Sequence, residues 1–81
     1  MQITIHCYGV AARVSGGETH TLQLPERSKV SEALEYFGER DAELAAVLRR
    51  CACAIDDRMV TRSQMLSEDD VLALLPPVAG G

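Results

Sequence analysis

The spacing of apolar residues changes along the chain, and each spacing predicts a different element. The first residues alternate, with an apolar face of Ile3, Ile5 and Cys7 opposite Gln2, Thr4, His6 and Tyr8. A period of two is typical of a half-buried strand. The alternation breaks over residues 9–18 and resumes in "THTLQLP" with Leu22 and Leu24. This pattern predicts a hairpin of strand, loop and strand.

A helical period begins after Pro25, which stops the second strand. The apolar residues then recur on one helical stripe, formed by Val30, Ala33, Leu34 and Phe37. Ser28 stands where an N-cap hydroxyl would accept a bond from a free backbone N–H, and Gly38 is placed to supply a left-handed closing residue. The pattern predicts the main helix over residues 28–38.

A second, shorter helix is predicted next, with Asp41 as its cap. Its apolar positions are Leu44, Val47 and Leu48, and it ends near Arg49 and Arg50. Cationic side chains suit that end because the helix dipole leaves partial negative charge there.

The remaining segments predict three strands. "CACAIDDRMV" indicates two short strands around a turn at Asp56 and Asp57. Met65 and Leu66 are expected to be buried, and residues 67–70 to form another turn. The apolar run "VLALL" at 71–75 predicts a central strand covered on both faces. We therefore expect an α+β domain, with a mixed sheet packed against one main helix.

Composition and charge narrow the class of protein. With 81 residues, of which 47% are hydrophobic and 25% charged, the chain suits one globular domain. Its net charge is −4 and it has no basic stripe, so we expect no nucleic-acid partner but rather a protein with a basic patch. The sequence contains no long apolar run and no signal-like start, so we expect a cytoplasmic protein without membrane contact.

The body of the chain offers weak candidates for chemistry. Cys51 and Cys53 lack the spacing of a metal pair, and buried packing is the better interpretation for them and for Cys7. His6 and His20 are expected to be cross-strand neighbours in solvent, and Ser15 does not lie in a nucleophile motif. The acidic clusters are interpreted as solvated turns, so no metal site is expected.

The ending "LLPPVAGG" at residues 74–81 is different. Pro76 and Pro77 cannot join a sheet ladder, so they end the last strand and project an extended arm of roughly 20 Å. Val78 offers an apolar anchor, while Ala79, Gly80 and Gly81 remove bulk for passage through a narrow channel. The Gly81 carboxylate is ionised at neutral pH and must be activated, for example by adenylation, before a sulfur or nitrogen nucleophile can attack it.

These residues resemble a family, the small subunit of molybdopterin synthase, which is a ubiquitin-like sulfur carrier. "LLPPVAGG" is similar to that family's ending of a strand, Pro-Pro, two variable residues and Gly-Gly. The likeness includes the opening strand, "ARVSGG", the capped helix and the acidic turn with Asp70. It implies a β-grasp domain at residues 1–75 and a flexible C-terminal Gly-Gly tail at 76–81.

The resemblance also implies partners and a mechanism. An E1-like adenylyltransferase using MgATP would activate Gly81, and a sulfur donor system would convert it to a thiocarboxylate. The tail residues Pro76, Pro77, Val78, Ala79 and Gly80 would insert into the large subunit, forming a heterotetramer in which sulfur is donated to the dithiolene of molybdopterin. Leu74, Leu75 and Val78 would contribute to the docking surface. The chain itself would bind no cofactor and would not be catalytic alone.

Other functions remain open on the same residues. Within the fold, the chain could serve thiazole or cysteine biosynthesis or be conjugated to lysines as a modifier. A non-covalent β-grasp interaction module with an incidental tail is the alternative from another class. A metal or redox protein built on Cys51 and Cys53 is a more distant one.

Overall fold

A computed structural model describes residues 1–78. In chain order, the elements are strands and helices with the bounds β1 Gln2–Cys7, α1 Gly9–Ser15, β2 Thr19–Gln23, α2 Val30–Gly38, α3 Ala42–Arg50, β3 Ala52–Ile55, β4 Arg58–Val60 and β5 Val71–Leu75. The five strands form one sheet in the order β2-β1-β5-β3-β4.

The sheet is mixed, and the core lies on one of its faces. β1 and β5 are parallel, while the β1/β2, β3/β4 and β3/β5 pairs are antiparallel. The inward-facing strand residues meet the buried side of the helices, and the largest fully buried side chains include Phe37, Ile3, Ile5, Leu44, Leu72 and Leu74. This arrangement confirms the predicted α+β β-grasp fold, although three helices are present where one main and one short helix were expected.

The first hairpin contains a helix that the sequence did not predict. Residues 9–15, interpreted above as a loop, form α1, with Tyr8 in extended conformation at its N-cap. Gly16 closes α1 in the left-handed region at φ 90°, where its N–H donates to the carbonyl oxygen of Ala12 at 3.1 Å. The helix buries only Ala11 and Ser15, so its small residues leave little amphipathic signal.

Both predicted ends of α2 are wrong, although the helix itself is confirmed. Lys29, not Ser28, is the N-cap, and its N–H donates to Glu32 Oε1 at 2.9 Å. Ser28 is buried and donates instead to the carbonyl oxygen of Pro25. Gly38 remains within the helix rather than closing it, and a Cβ there would lie 3.2 Å from the Cα of Ala45. The missing side chain of Gly38 therefore allows α2 and α3 to pack closely.

The second helix and the late hairpin are confirmed. Asp41 caps α3, accepting a hydrogen bond from the N–H of Leu44 at 3.2 Å, and the helix ends at Arg50. Asp56 and Asp57 join β3 to β4 with φ values of 51° and 62°. Two consecutive left-handed residues match the right-handed twist of a short hairpin, and Asp tolerates that region better than most residues.

Two burial predictions are wrong. Leu66 is buried, but Met65 is 51% exposed, and its backbone pairs with Lys29 in an isolated antiparallel bridge. β5 is central, as predicted, but only one of its faces is covered. Leu72 and Leu74 are buried while Val71 is 46% exposed, so the run "VLALL" presents apolar residues to the outside of the sheet.

Candidate functional site

The tail leaves from the middle of the sheet, beside the end of β1. Leu74 of β5 is in register with Cys7 of β1, and the N–H of Tyr8 donates to the carbonyl oxygen of Leu74 at 3.3 Å. β5 then ends at Leu75, and Pro76 and Pro77 cannot donate hydrogen bonds to either neighbouring strand. The departure point of the tail is therefore held by two strands and fixed by backbone pairing.

An apolar cleft lies at this departure point. It has a volume of about 450 Å³ and is lined by Tyr8, Gly9 and Val10 on one side and residues 75–78 on the other. Gly9 has a backbone φ of +53°, which residues with a side chain rarely adopt. This conformation lets the chain turn from β1 directly into α1. Val78 is 81% exposed at the outer end. We call this cleft the tail-base cleft.

We call the side of the sheet away from the helices the open face. It carries an apolar strip along β5 and β3, next to the polar outward residues of β1 and β2. Ala73 lies at its centre, between His6 of β1 and Ala54 of β3. Val71 and Leu75 flank Ala73 on the same face of β5. The open face is continuous with the tail-base cleft through Leu75. A single partner can therefore contact the apolar residues of β5 and the tail at the same time.

Aromatic and acidic groups border the open face. The rings of His6 and Tyr8 stack with centroids 4.7 Å apart and an interplanar angle of 9°. Together with Asp56 and Asp57 they line a shallow cleft of about 290 Å³ over Ala73. The carboxylates give this border negative charge, which suits a partner carrying cationic residues.

His6 and His20 are not neighbours, contrary to the sequence-based expectation. His20 pairs with Ile5, which places its side chain on the core side of the sheet, where its ring lies 4.9 Å from that of Phe37. His6 faces the opposite side. The one-residue difference in register separates them, since successive strand residues point to opposite faces.

A buried polar group that the sequence analysis missed lies under α1. Ser15 Oγ is 3.0 Å from His20 Nε2 and 3.7 Å from Cys7 Sγ, to which it donates. The other ring nitrogen of His20 faces Arg40 at 3.4 Å. A serine–histidine pair used for nucleophilic catalysis is exposed and oriented by a carboxylate. Here Ser15 is 5% exposed and the orienting group is a guanidinium, so the group is structural.

The predicted site residues fall into three groups. Leu74 is 0% exposed and packs in the core, so its prediction as a docking residue is wrong. Alternation along β5 turns it inward and leaves Leu75, partly buried, on the open face. Pro76, Pro77 and Val78 line the tail-base cleft. The predictions for Ala79, Gly80 and Gly81 lie outside the described residues.

All three cysteines are free and buried, with Cys7, Cys51 and Cys53 between 1% and 3% exposed. Burial raises the pKa of each thiol, because the thiolate loses its hydration. Among residues 1–78, no cluster of three or more His, Cys, Asp or Glu side chains could hold a metal ion. Packing therefore accounts for the cysteines, as predicted. Cys7 and Cys53 are buried strand residues of β1 and β3, and Cys51 is buried directly after α3.

Slow thiol reactivity is the expected consequence. In native buffer at neutral pH, the three thiols should react with a disulfide reagent much more slowly than in denaturant, where all three should react at once. Because folding raises the pKa of these thiols, their contribution to the free energy of unfolding should be fully present below the unfolded-state thiol pKa of about 8.5. That contribution should fall as the pH rises above this value. Absorbance of the released aromatic thiolate measures the rates. A native thiol reacting at the unfolded rate would contradict the burial.

No helix within residues 1–78 combines the length and apolar character needed to cross a bilayer.

The fold and the departure of the tail define a class, the ubiquitin-like β-grasp proteins. The model of the ThiS family matches residues 5–81, which is nearly the whole chain and includes the tail. The chain belongs to the ThiS family, whose β-grasp proteins include sulfur carriers. No curated protein matches the sequence closely enough to count as a relative.

Solved structures share this fold at low identity. SAMP1 from Haloferax volcanii has a TM-score of 0.87 at 20% identity, covering 100% of both chains. A putative molybdopterin converting factor subunit 1 from Pyrococcus furiosus has a TM-score of 0.85 at 19% identity, covering 96% of this chain and 99% of that one. The complex of subunits 1 and 2 of molybdopterin-converting factor from Helicobacter pylori has a chain with a TM-score of 0.70 at 24% identity, covering 100% of both chains.

Proposed function

We propose that this chain is the sulfur-carrying small subunit of a molybdopterin synthase. The observation that carries the proposal is the position of the tail, which leaves the central strand beside an apolar cleft and belongs to the segment matched by the family model. The reactive group is the Gly81 carboxylate. The side chains of residues 1–78 supply the support and the docking surface.

The chemistry of the tail requires two partners before the synthase acts. An E1-like adenylyltransferase transfers AMP from MgATP to the Gly81 carboxylate and releases pyrophosphate, which creates a leaving group at an otherwise unreactive carbon. A sulfur donor system then supplies sulfur at the oxidation level of sulfide, which bonds to the carbonyl carbon as AMP leaves, and a thiocarboxylate remains. The large subunit binds the tail and directs the terminal sulfur to the precursor whose dithiolene it builds.

The surface next to the tail suits docking of such partners. Leu75 and Val71 provide apolar contact on the open face, and Asp56 and Asp57 provide a charged border. Interfaces of this kind combine an apolar centre with a polar rim, and complementary charge speeds association. The Helicobacter pylori complex joins subunits 1 and 2, which supports a protein partner of the second-subunit kind for this chain.

Replacing Leu75 by Asp tests the docking surface. A charge in an apolar interface centre is expected to weaken binding to the large subunit about tenfold or more, corresponding to roughly 1.4 kcal/mol per factor of ten. Tyr36→Asp is the matched control, because Tyr36 is 52% exposed on α2 and lies away from the open face. Isothermal titration measures both affinities. Equal affinities for the two variants would contradict docking through the open face.

The pathway is tested by reconstitution. The thiocarboxylate form of this chain is mixed with a large subunit and the cyclic pyranopterin precursor, and dithiolene formation is followed by mass spectrometry. We expect product in proportion to the thiocarboxylate supplied, and none from the carboxylate form or from a chain lacking Gly80 and Gly81. Absence of product from the thiocarboxylate form would overturn the assignment to molybdopterin synthesis.

A second function in the same fold is favoured by one comparison. The structure of SAMP1 matches this chain over its full length, and that name also belongs to a small archaeal modifier protein. A modifier would transfer its activated terminus to lysines of other proteins. Incubation with ATP, the activating enzyme, a sulfur source and a lysine-bearing protein distinguishes the two, since a modifier yields isopeptide links to that protein whereas the proposed carrier yields a thiocarboxylate.

A further inference from the structure

The sheet has two edge strands, β2 and β4, and they differ in how well they are protected. β4 is three residues long and begins with Arg58. Short length and charged side chains are common devices that keep an edge strand from pairing with another chain. β2 is five residues long and contains no Asp, Glu, Lys, Arg or Pro. β2 is therefore the edge that is open to pairing.

The backbone of β2 alternates between residues that bond to β1 and residues whose polar groups point away from it. At one end of the pair, the N–H of Leu24 donates to the carbonyl oxygen of Met1, and the Met1 nitrogen donates back to that of Leu24. In an antiparallel pair, such doubly bonded positions recur at every second residue. The residues of β2 between them turn their N–H and C=O groups outward, and they are Thr19, Thr21 and Gln23.

These three outward residues are exposed, and their side chains are polar but uncharged. Among residues 1–78, no hydrogen bond reaches their outward backbone groups. The side chain of Gln23 donates to that of Gln2 at 2.9 Å, so it is held toward β1 and does not cover the edge. Arg40 reaches the ring of His20 from the helical side of the sheet, and not the β2 backbone. The edge therefore has a row of free donors and acceptors.

A second copy of β2 matches this row in one antiparallel register. When Thr21 lies opposite Thr21 of the second copy, Thr19 lies opposite Gln23, and every outward N–H meets an outward C=O. On the helical side, His20 lies opposite Leu22. Like charges placed opposite each other destabilise a strand pair, and this register brings none together within β2. The strand is thus complementary to itself in hydrogen bonding and in charge.

We propose that β2 pairs antiparallel with β2 of a second copy of this chain, centred on Thr21, so that the two sheets join into one. The contact is small, so the dimer is reversible, with a dissociation constant on the order of 1 mM. β1 lies between β2 and β5, which leaves the tail-base cleft and the apolar strip of the open face free. Strand spacings of about 4.8 Å place the two copies of β5 about 24 Å apart. This pairing does not depend on the proposed function.

The concentration dependence of the full chain tests the dimer. Sedimentation velocity and NMR spectra are recorded with a reductant present, between about 20 µM and about 2 mM protein, where the dimer should rise from a few per cent to more than half of the chains. The amide signals of Thr19, Thr21 and Gln23 should shift over this range, while those of β4 stay unchanged. A chain that is monomeric at the highest concentration, or a dimer whose shifts lie in β4, would overturn the proposal.

Single cysteines in β2 test the register, since the three native thiols are buried. The Cα atoms of the two copies of position 21 would lie about 5.5 Å apart, which a disulfide can bridge. The two copies of position 19 would lie four residues apart along the strands, about 13 Å, which a disulfide cannot bridge. Under mild oxidation, Thr21→Cys should therefore form the linked dimer at least about tenfold faster than Thr19→Cys. Equal rates would contradict the register.

A backbone variant tests the hydrogen bonds themselves. Thr21→Pro removes an outward N–H without removing a bond to β1, because proline is tolerated on an edge strand where its nitrogen faces solvent. It should weaken the dimer about tenfold or more, whereas Thr21→Val, which keeps the N–H, should still dimerise. Thermal unfolding of both variants checks the fold. Association of a folded Thr21→Pro chain as strong as that of the unaltered chain would overturn the proposal, and the cysteine pair decides it if Thr21→Pro does not fold.

Discussion

A variant with one alanine added after Gly81 is expected to fold like the unaltered chain and to form no thiocarboxylate. The addition moves the terminal carboxylate outward by about 3.5 Å and places a Cβ beside the carbon that must be attacked. Binding sites that orient a reacting group lose most of their effect when that group is displaced by about 1 Å. Intact mass spectrometry after incubation with ATP, an adenylating partner and a sulfur source measures the loss.

The control for this experiment keeps the length of the tail. Tyr36→Ala removes apolar bulk from a residue of α2 that is 52% exposed and lies away from the tail, and it should retain most of the conversion. Circular dichroism of both variants checks the fold. An extended chain that converts as fully as the unaltered one would contradict a function based on the Gly81 terminus and would favour a docking module with an incidental tail.

The second large effect concerns stability and separates two adjacent leucines. Leu74→Ala is expected to lower the free energy of unfolding by about 2–5 kcal/mol, because it removes a 0% exposed side chain from the core and leaves a cavity. In a domain of this size the melting temperature should fall by at least about 8 °C. Urea unfolding monitored by circular dichroism measures the change.

Leu75→Ala is the matched control for that substitution. Leu75 is partly buried on the open face, so Leu75→Ala should lower the free energy of unfolding distinctly less than Leu74→Ala does. Leu75→Ala should also weaken partner binding. Similar losses of stability for the two variants would contradict the observed alternation along β5. The pair therefore tests which leucine supports the fold and which is available for docking.

The sequence predicts the elements that have a strong period or a clear cap. Alternation in β1, the helical stripe of α2 and the Asp41 cap of α3 each reflect one dominant local interaction, and all three are observed. The turn at Asp56 and Asp57 was predictable for the same reason. The order of these elements, with an apolar final strand, was enough to indicate the central position of β5.

The errors arise where tertiary contacts outweigh local preference. α1 is seven residues long and depends on packing against its neighbours, so its sequence resembles a glycine-bordered loop. Gly38 was expected to end a helix, but the close approach of Ala45 requires its missing side chain. The residues of β5 alternate between buried and outward-facing positions, but this was not visible in the sequence because the outward residues are also apolar. The open face is consequently a feature that only the structure shows.

The central claim is that Gly81 carries sulfur, and intact mass spectrometry with fragmentation tests it most directly. The chain is incubated with MgATP, an E1-like adenylyltransferase and a sulfur donor, and the C-terminal peptide is then fragmented. The account predicts replacement of one oxygen by sulfur at Gly81, dependent on ATP. A sulfur atom found on Cys7, Cys51 or Cys53 with Gly81 unchanged, or no exchange at all, would contradict it.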